Sequence, residues 1–150
     1  MENGGKLSIL GSHVARYQLD CGLHFLLENP KGSELFRRRE WQQRWVDYHL
    51  VAVTLDQCMV GLVGPRSGLP IQNATMLWAS DWELVRWLHG RRCDGQHEHA
   101  VLGQWQHHVD DIKHSESSKL AQVWPRRLCQ LLAEGCRAVL ARHDSGNHHD

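Results

Sequence analysis

Hydrophobic and polar positions alternate along the chain in a pattern that predicts strands and helices in turn. Short apolar runs bounded by turn residues indicate three buried strands, at 23–27, 50–55 and 74–79. Capped or amphipathic segments predict helices between and after these strands. The predicted helices cover 12–21, 34–46 and 82–89, and a last one begins at Pro125, a favoured first helical residue.

Alternating strands and helices favour an α/β fold built on a parallel sheet. Three strands are few for such a sheet, whose faces both need cover, so we interpret the chain as part of a larger α/β domain. We divide it into a flexible N-terminus over 1–11, a single domain over 12–142 and a flexible tail over 143–150. The polar stretch 104–119 has no clear period and is predicted to be an insertion.

Composition and charge exclude several classes of protein. The 150 residues include 17 basic and 17 acidic side chains, so net positive charge cannot hold the chain on nucleic acid, and any such contact would need a local basic patch. No apolar run approaches the roughly 20 residues of a membrane helix, and the first residues lack the pattern of a secretory signal. We therefore expect an intracellular protein, in the nucleus or the cytoplasm, without a membrane partner.

Cysteine and histidine are the unusual part of the composition. The chain has 12 His and five Cys, and an odd number of irregularly spaced cysteines argues against a disulfide framework. We expect reduced thiols, some of them bound to metal.

Two segments combine these residues in a pattern that suits a metal ion. Cys93, His97 and His99 are closely spaced around Gly95, which permits a turn, and two histidines two residues apart share one side of an extended segment. Cys58 follows a predicted strand and would supply a fourth ligand. Two cysteines and two histidines are a set that tetrahedral zinc takes, so we predict zinc at Cys58, Cys93, His97 and His99. The alternative is a polar loop with a buried free cysteine.

A second candidate site lies at the end of the first predicted strand. Glu28 and Asn29 come directly after the apolar run and before Pro30. In open parallel sheets, ligands bind beyond the carboxyl ends of the strands. A glutamate there could hydrogen-bond a ring nitrogen of a nucleic-acid base. The alternative is that both residues only cap the following turn.

A basic segment offers a third, weaker candidate. Three arginines at 37–39 and Arg44 are interleaved with Trp41 and Trp45, a combination that could contact phosphate and stack on bases. The alternative is a solvated helix face whose tryptophans are anchored in the core. The sequence contains no nucleophile elbow and no phosphate-binding glycine loop.

Several short motifs follow one another in a recognisable order along the chain. They are Tyr17-Gln18, Gly22 to Pro30 with Ser33, Asp56 to Gly61, Arg92 to His99, Ala121 to Pro125, and Leu128-Cys129. This order resembles one family, the DNA cytosine methyltransferase-like domain of retrotransposon-like polyproteins from dinoflagellate algae. The similarity covers about residues 13–137 and corresponds to the later, C-terminal half of that domain.

The resemblance implies a partial Rossmann-like parallel sheet and a remnant catalytic site. Glu28 matches the glutamate of the family's Glu-Asn-Val segment, which engages a flipped cytosine, and Asn29 follows it. The family's Pro-Cys nucleophile and its glycine-rich turn for S-adenosylmethionine would lie before Met1. We therefore expect this chain alone to bind no S-adenosylmethionine and to transfer no methyl group.

The function expected from the resemblance is that of a methyltransferase-like fragment that is inactive by itself. Its expected partners are nucleic acid, the missing N-terminal half or another polyprotein segment. The alternative is a zinc-stabilised nucleic-acid or protein interaction module with no catalytic past. A third possibility is a drifting retroelement product without a selected role.

Overall fold

A computed structural model describes residues 3–65, 67–100 and 123–146. In this part of the chain lie three α-helices, α1 (Asn3–Asp20), α2 (Arg39–Tyr48) and α3 (Arg126–Gly146), and three strands, β1 (Leu26–Pro30), β2 (Val51–Asp56) and β3 (Ala74–Ala79). Short 3-10 turns complete the order at Glu34–Arg37, Gln57–Val60, Trp82–Leu84 and Arg86–Leu88. The predicted insertion and the last four residues of the predicted tail lie outside the described residues.

The three strands form one sheet in the order β1-β3-β2, and β3 runs antiparallel to both neighbours. Glu28 pairs with Leu77 in β3, and Asp56 pairs with Ala74. The α/β class is therefore confirmed, whereas the predicted Rossmann-like parallel sheet is wrong.

The connections between the strands explain this difference. A parallel pair needs a crossover of a dozen or more residues, usually a helix, and α2 makes such a crossover between β1 and β2, which point the same way. The segment between β2 and β3 contains one 3-10 turn and a β-bridge between Val63 and Pro70, but no α-helix in its described residues. β3 therefore returns antiparallel and lies between the two parallel strands, which gives a split β-α-β arrangement.

Each face of the sheet is covered by helices, so the described residues form three layers. On one face α1 and α2 bury an aromatic cluster that includes Phe36, Trp41 and Trp78. On the other face α3 and the 3-10 turns after β3 bury an aliphatic cluster. The members of the aliphatic cluster include Leu55, Leu77, Val85, Leu88, Leu128 and Val139. Successive strand residues alternate between these two cores.

Several predicted boundaries change in the structure. The helix predicted from residue 12 begins at Asn3, so α1 includes residues that we assigned to a flexible N-terminus. The strand predicted over 23–27 lies at Leu26–Pro30, and Pro30 is tolerated because it is the last residue of an edge strand. The helix predicted over 82–89 is two 3-10 turns, whereas the last helix begins one residue after Pro125, close to the prediction.

A close contact between α3 and the turn at Trp82–Leu84 fixes the position of that helix. Gly135 faces the backbone of Leu84, and a Cβ atom on Gly135 would lie 2.8 Å from the Leu84 Cα and still closer to its carbonyl oxygen. Only glycine permits this approach, which brings the Leu84 side chain into the aliphatic core beside Leu131 and Leu132.

Candidate metal centre

Cys58 lies on a rigid turn that directly follows β2. The turn Gln57–Val60 is anchored on both sides of the cysteine, because the side chains of Gln57 and Val60 are both buried. Gln57 Nε2 donates a hydrogen bond to Thr75 Oγ1 at 2.8 Å, and Gly61 ends the turn with a φ of 90°. The thiol of Cys58, which is half-buried, is therefore held at the end of the sheet.

Cys93 reaches the same end of the sheet because its loop docks on Asp56. The Asp56 backbone N–H donates to the Arg91 carbonyl at 2.9 Å. Its carboxylate Oδ2 accepts hydrogen bonds from the Cys93 N–H at 2.9 Å and from Arg92 Nε at 2.7 Å. Burial raises the pKa of the Asp56 carboxyl, but these two hydrogen bonds together with the charges of Arg92 and Lys31 outweigh it and hold the pKa below its ordinary value. A buried carboxylate thus ties residues 91–93 to the turn that carries Cys58.

The loop then turns at Gly95 and brings two imidazoles onto the Cys93 sulfur. Gly95 has a φ of 74°, and its N–H donates to Cys93 Sγ at 3.4 Å. The ring centroids of His97 and His99 are 4.5 Å apart, so the two side chains share one side of the segment as predicted. The loop is joined to the segment before β3 by a hydrogen bond from Ala100 N–H to the Pro70 carbonyl at 2.8 Å.

The four predicted ligand residues converge. One ligand atom each from Cys58, Cys93, His97 and His99 lies within 4.8 Å of the other three. Cys93 Sγ is 3.8 Å from His97 Nε2 and 3.4 Å from His99 Nε2. A tetrahedral ion with the usual zinc bond lengths would place sulfur and nitrogen about 3.6 Å apart, between these two distances. The group could therefore hold a metal ion, and the convergence predicted from the sequence is confirmed.

The electrostatics of the group fit a cation. Burial, followed by the neighbouring Cys93 thiol, raises the pKa of the Cys58 thiol to about 11, so two thiolates side by side need a positive charge between them. His97 presents Nε2 to the group, while its Nδ1 lies 4.0 Å from the Asp94 carboxylate. The other cysteines, Cys21, Cys129 and Cys136, are exposed and lie outside the group.

The second candidate pair, Glu28 and Asn29, is not assembled in the same way. Both residues lie within β1, and not beyond its end as predicted. Leu26 packs on the aliphatic core and Leu27 on the aromatic core, so the alternation along the strand places Glu28 and Asn29 on opposite faces of the sheet. The two side chains cannot contact one ligand from the same side.

Glu28 is part of a polar network under the start of α3. Its carboxylate accepts hydrogen bonds from the side chains of Trp124 and Thr75, and Thr75 in turn accepts the bond from Gln57. Burial raises the pKa of Glu28 above its ordinary value, and the two hydrogen bonds oppose this shift only in part. The carboxyl of Glu28 is therefore bonded to partners on β3 and just before α3.

The basic segment is not arranged to bind bases. Trp41 is 3% exposed, and the half-buried Trp45 packs against Trp78 with ring centroids 4.7 Å apart and ring planes tilted by 51°, so both indoles pack on the aromatic core. Three of the four arginines have acidic partners. The pairs are Arg37–Glu34, Arg38–Glu40 and Arg44–Asp47, at 2.6, 2.6 and 3.3 Å. The alternative interpretation, a solvated helix face with anchored tryptophans, describes this segment.

Two functional contacts were missed from the sequence. The first is the hydrogen bond by which Asp56 holds Cys93, a residue 37 positions further along the chain. The acidic residue at the end of an apolar run was the only signal for it in the sequence. The contact between Trp124 and Glu28 had no local signal, because it depends on where α3 begins relative to the sheet.

Comparisons with known proteins give no relative for this arrangement. No family model, no curated protein and no solved structure matches the chain. Among the described residues, no helix is both long enough and apolar enough to cross a membrane.

Proposed function

We propose that the chain is a zinc-stabilised interaction module in which Cys58, Cys93, His97 and His99 hold one structural Zn²⁺ ion. The observation that carries this proposal is the convergence of two thiols and two imidazoles within 4.8 Å of one another, with the two distances from the Cys93 sulfur to the imidazole nitrogens on either side of the tetrahedral value. Zinc suits such mixed sulfur and nitrogen ligands better than the hard cations magnesium and calcium, which take oxygen ligands.

The number of protein ligands supports a structural role for the ion. Four ligands complete a tetrahedral shell and leave no position for a substrate or a reactive water. Residues 91–100 form a loop without helix or strand, so an ion would offset the entropy that ordering this loop costs. The ion would join the loop to the turn after β2.

The surface of the described residues favours a protein partner over nucleic acid. The arginines of the basic segment are mostly paired with carboxylates, Trp41 is buried, and the half-buried Trp45 packs against Trp78. Exposed apolar side chains are frequent, with Leu7, Tyr17, Val46 and Leu140 all more than 60% exposed. Leu7 and Tyr17 lie with Leu10 and Val14 at helical spacing on one side of α1, and an apolar patch of this kind is typical of surfaces that contact other proteins.

The methyltransferase-like function stays a prediction from the sequence. It requires Glu28 in a ligand crevice beyond the carboxyl end of a strand, and Glu28 lies instead in the middle of β1, with Trp124 and Thr75 bonded to its carboxylate. We therefore base the proposed function on the metal centre.

The experiment is a metal titration of the purified, reduced chain. We expect one zinc ion per chain, and we expect Co²⁺ in its place to give the intense visible absorption of a tetrahedral site with thiolate charge-transfer bands. Removal of zinc by a chelator should lower the thermal unfolding temperature, because binding free energy contributes to folding.

Matched cysteine variants provide the control. Cys93→Ser should abolish stoichiometric binding, whereas Cys129→Ser, which replaces an exposed cysteine outside the group, should keep one ion per chain. Equal binding by both variants, or a cobalt spectrum of an octahedral site, would contradict the proposed centre.

A further inference from the structure

The metal centre brings two cysteine sulfurs together. The Sγ atoms of Cys58 and Cys93 lie within 4.8 Å of each other, beside the two imidazoles. The other three cysteines, Cys21, Cys129 and Cys136, are exposed and lie outside this group. An oxidant that reaches the metal centre therefore meets a preformed pair of sulfurs.

The backbones that carry the two cysteines also lie side by side. The Asp56 N–H donates to the Arg91 carbonyl at 2.9 Å, and the Asp56 carboxylate accepts from the Cys93 N–H at 2.9 Å. Asp56 stands two residues before Cys58 in the chain. Because a disulfide requires Cα atoms about 4.4–6.8 Å apart, two sulfurs bond readily only where their backbones are already neighbours. The docking of the loop on Asp56 brings the two backbones together.

The two cysteines differ in how firmly their surroundings hold them. Cys58 is fixed in the turn Gln57–Val60, whereas the chain after Cys93 forms a loop without helix or strand over 94–100. This loop can take up the movement that shortens the distance between the sulfurs to the roughly 2.05 Å of a disulfide. Both thiols are only half-buried, and loop residues 94–96 are exposed, so a small oxidant can reach the sulfurs.

We propose that the metal centre is a redox switch, in which a peroxide joins Cys58 to Cys93 in a disulfide and thereby releases the zinc ion. The inference rests on the proposed function, because a bound ion holds both sulfurs as thiolates, the form that reacts with peroxides. In the reduced state the ion ties the loop to the turn after β2. In the oxidised state the disulfide is the tie.

The reaction consumes one peroxide for each disulfide. The first thiolate attacks a peroxide oxygen, so that an S–O bond forms, the O–O bond breaks and hydroxide leaves. The second thiolate attacks the sulfur of this sulfenic acid, forms the S–S bond and expels a second hydroxide. The two sulfurs lose two electrons, which reduce hydrogen peroxide to two hydroxide ions, and protons from solvent convert these to water.

Formation of the disulfide removes two of the four ligands and both of their negative charges. The imidazoles of His97 and His99 alone do not complete a tetrahedral shell, so the ion leaves. The disulfide keeps Cys93 beside the turn that carries Cys58, while the two histidines lose the ion that held them. The switch therefore changes the surface that the loop presents and leaves the sheet in place.

The test exposes the zinc-loaded chain to hydrogen peroxide and follows free zinc with a chromophoric indicator. We expect release of one ion per chain. After alkylation of the remaining thiols, mass spectrometry of a tryptic digest should show the Cys58 peptide joined to the Cys93 peptide, two hydrogens lighter than the reduced pair. A dithiol reductant with added zinc should restore one bound ion, and circular dichroism should show the same helix content in both states.

A variant that keeps only this pair is the matched control. Cys21→Ser, Cys129→Ser and Cys136→Ser combined remove the exposed cysteines, and this variant should release zinc at the wild-type rate. Slower or incomplete release would show that another cysteine takes part in the oxidation, and would overturn the assignment to Cys58 and Cys93.

The remaining outcomes separate the switch from the metal centre itself. A reduced chain that binds no zinc refutes the metal centre and the switch with it. A chain that binds one ion and keeps it after peroxide treatment refutes the switch alone. Release of the ion without a bond between Cys58 and Cys93 also refutes the switch and leaves the metal centre standing.

Discussion

The loop that carries Cys93 and the sheet face beneath α3 are held in place by different kinds of contact. Under α3, buried aliphatic side chains from the strands, the turns and the helix pack together, and Gly135 lies against the Leu84 backbone. The loop instead depends on hydrogen bonds to Asp56 and on the four ligands. The first region is stabilised by packing, whereas the second needs a polar anchor and, as we propose, an ion.

The difference also separates the two candidate sites. Cys58 directly follows β2, and Cys93 lies in a loop that docks on Asp56, the last residue of β2. At such a position a loop can bring several side chains to one point. Glu28 and Asn29 lie within a strand, where the pleat sends neighbours to opposite faces. Glu28 and Asn29 are adjacent in sequence but lie on opposite faces of the sheet, whereas Cys58 and Cys93 are 35 positions apart and come together.

The largest expected effect tests whether packing holds the α3 side. Gly135→Ala places a methyl group against the Leu84 backbone, so the free energy of unfolding should fall by about 2 kcal/mol, although alanine is the better helix former. Gln130→Ala, at an exposed position of the same helix, should change it by less than about 0.5 kcal/mol. Urea unfolding measures both, and equal stability of the two variants would refute the close approach.

The next effect tests whether Asp56 anchors the loop. Asp56→Asn keeps the shape but loses the charge that holds the Cys93 N–H, so the dissociation constant for zinc should rise about tenfold. The other partner of this carboxylate is Arg92, whose side chain is 47% exposed. Arg92→Gln removes that partner and should change the dissociation constant for zinc by less than about threefold. Competition with a chromophoric chelator measures the constants. An unchanged value for the Asp56 variant would mean that Cys93 is positioned by other contacts.

A smaller effect is expected in the pH dependence of the free energy of unfolding, through Glu28 on the sheet face beneath α3. Because burial raises the pKa of Glu28, the folded state holds this proton more tightly than the unfolded chain, and the contribution of Glu28 to stability is present at low pH. It is lost as the pH rises through the folded pKa. The stability of Glu28→Gln relative to the wild type should therefore increase from about pH 4 to about pH 7. A difference that stays constant with pH would show that the carboxyl is not perturbed.

The smallest effect is a coupling energy near zero. Since Glu28 and Asn29 face different cores, the stability changes of Glu28→Gln and Asn29→Ala should add within about 0.5 kcal/mol in the double variant. A larger coupling, measured by urea unfolding at one pH, would indicate that the two side chains act together after all.

Short-range patterns in the sequence are enough to specify several elements of this fold. Apolar runs located β2 and β3 closely, Pro125 marked the start of α3, and the spacing of Cys93, His97 and His99 around Gly95 placed three ligand atoms together. These features depend on periodicity, turn residues and short loops, which act over a few residues.

The direction of β3 and the partners of Asp56 and Glu28 depend instead on how the whole chain packs. Strand direction depends on how the chain returns between β2 and β3, and the same apolar run suits either orientation. The Asp56–Cys93 and Glu28–Trp124 contacts arise where separate elements meet at the sheet. Such contacts are selected by the packing of the whole chain, because no local preference of these residues specifies a partner so far away in sequence.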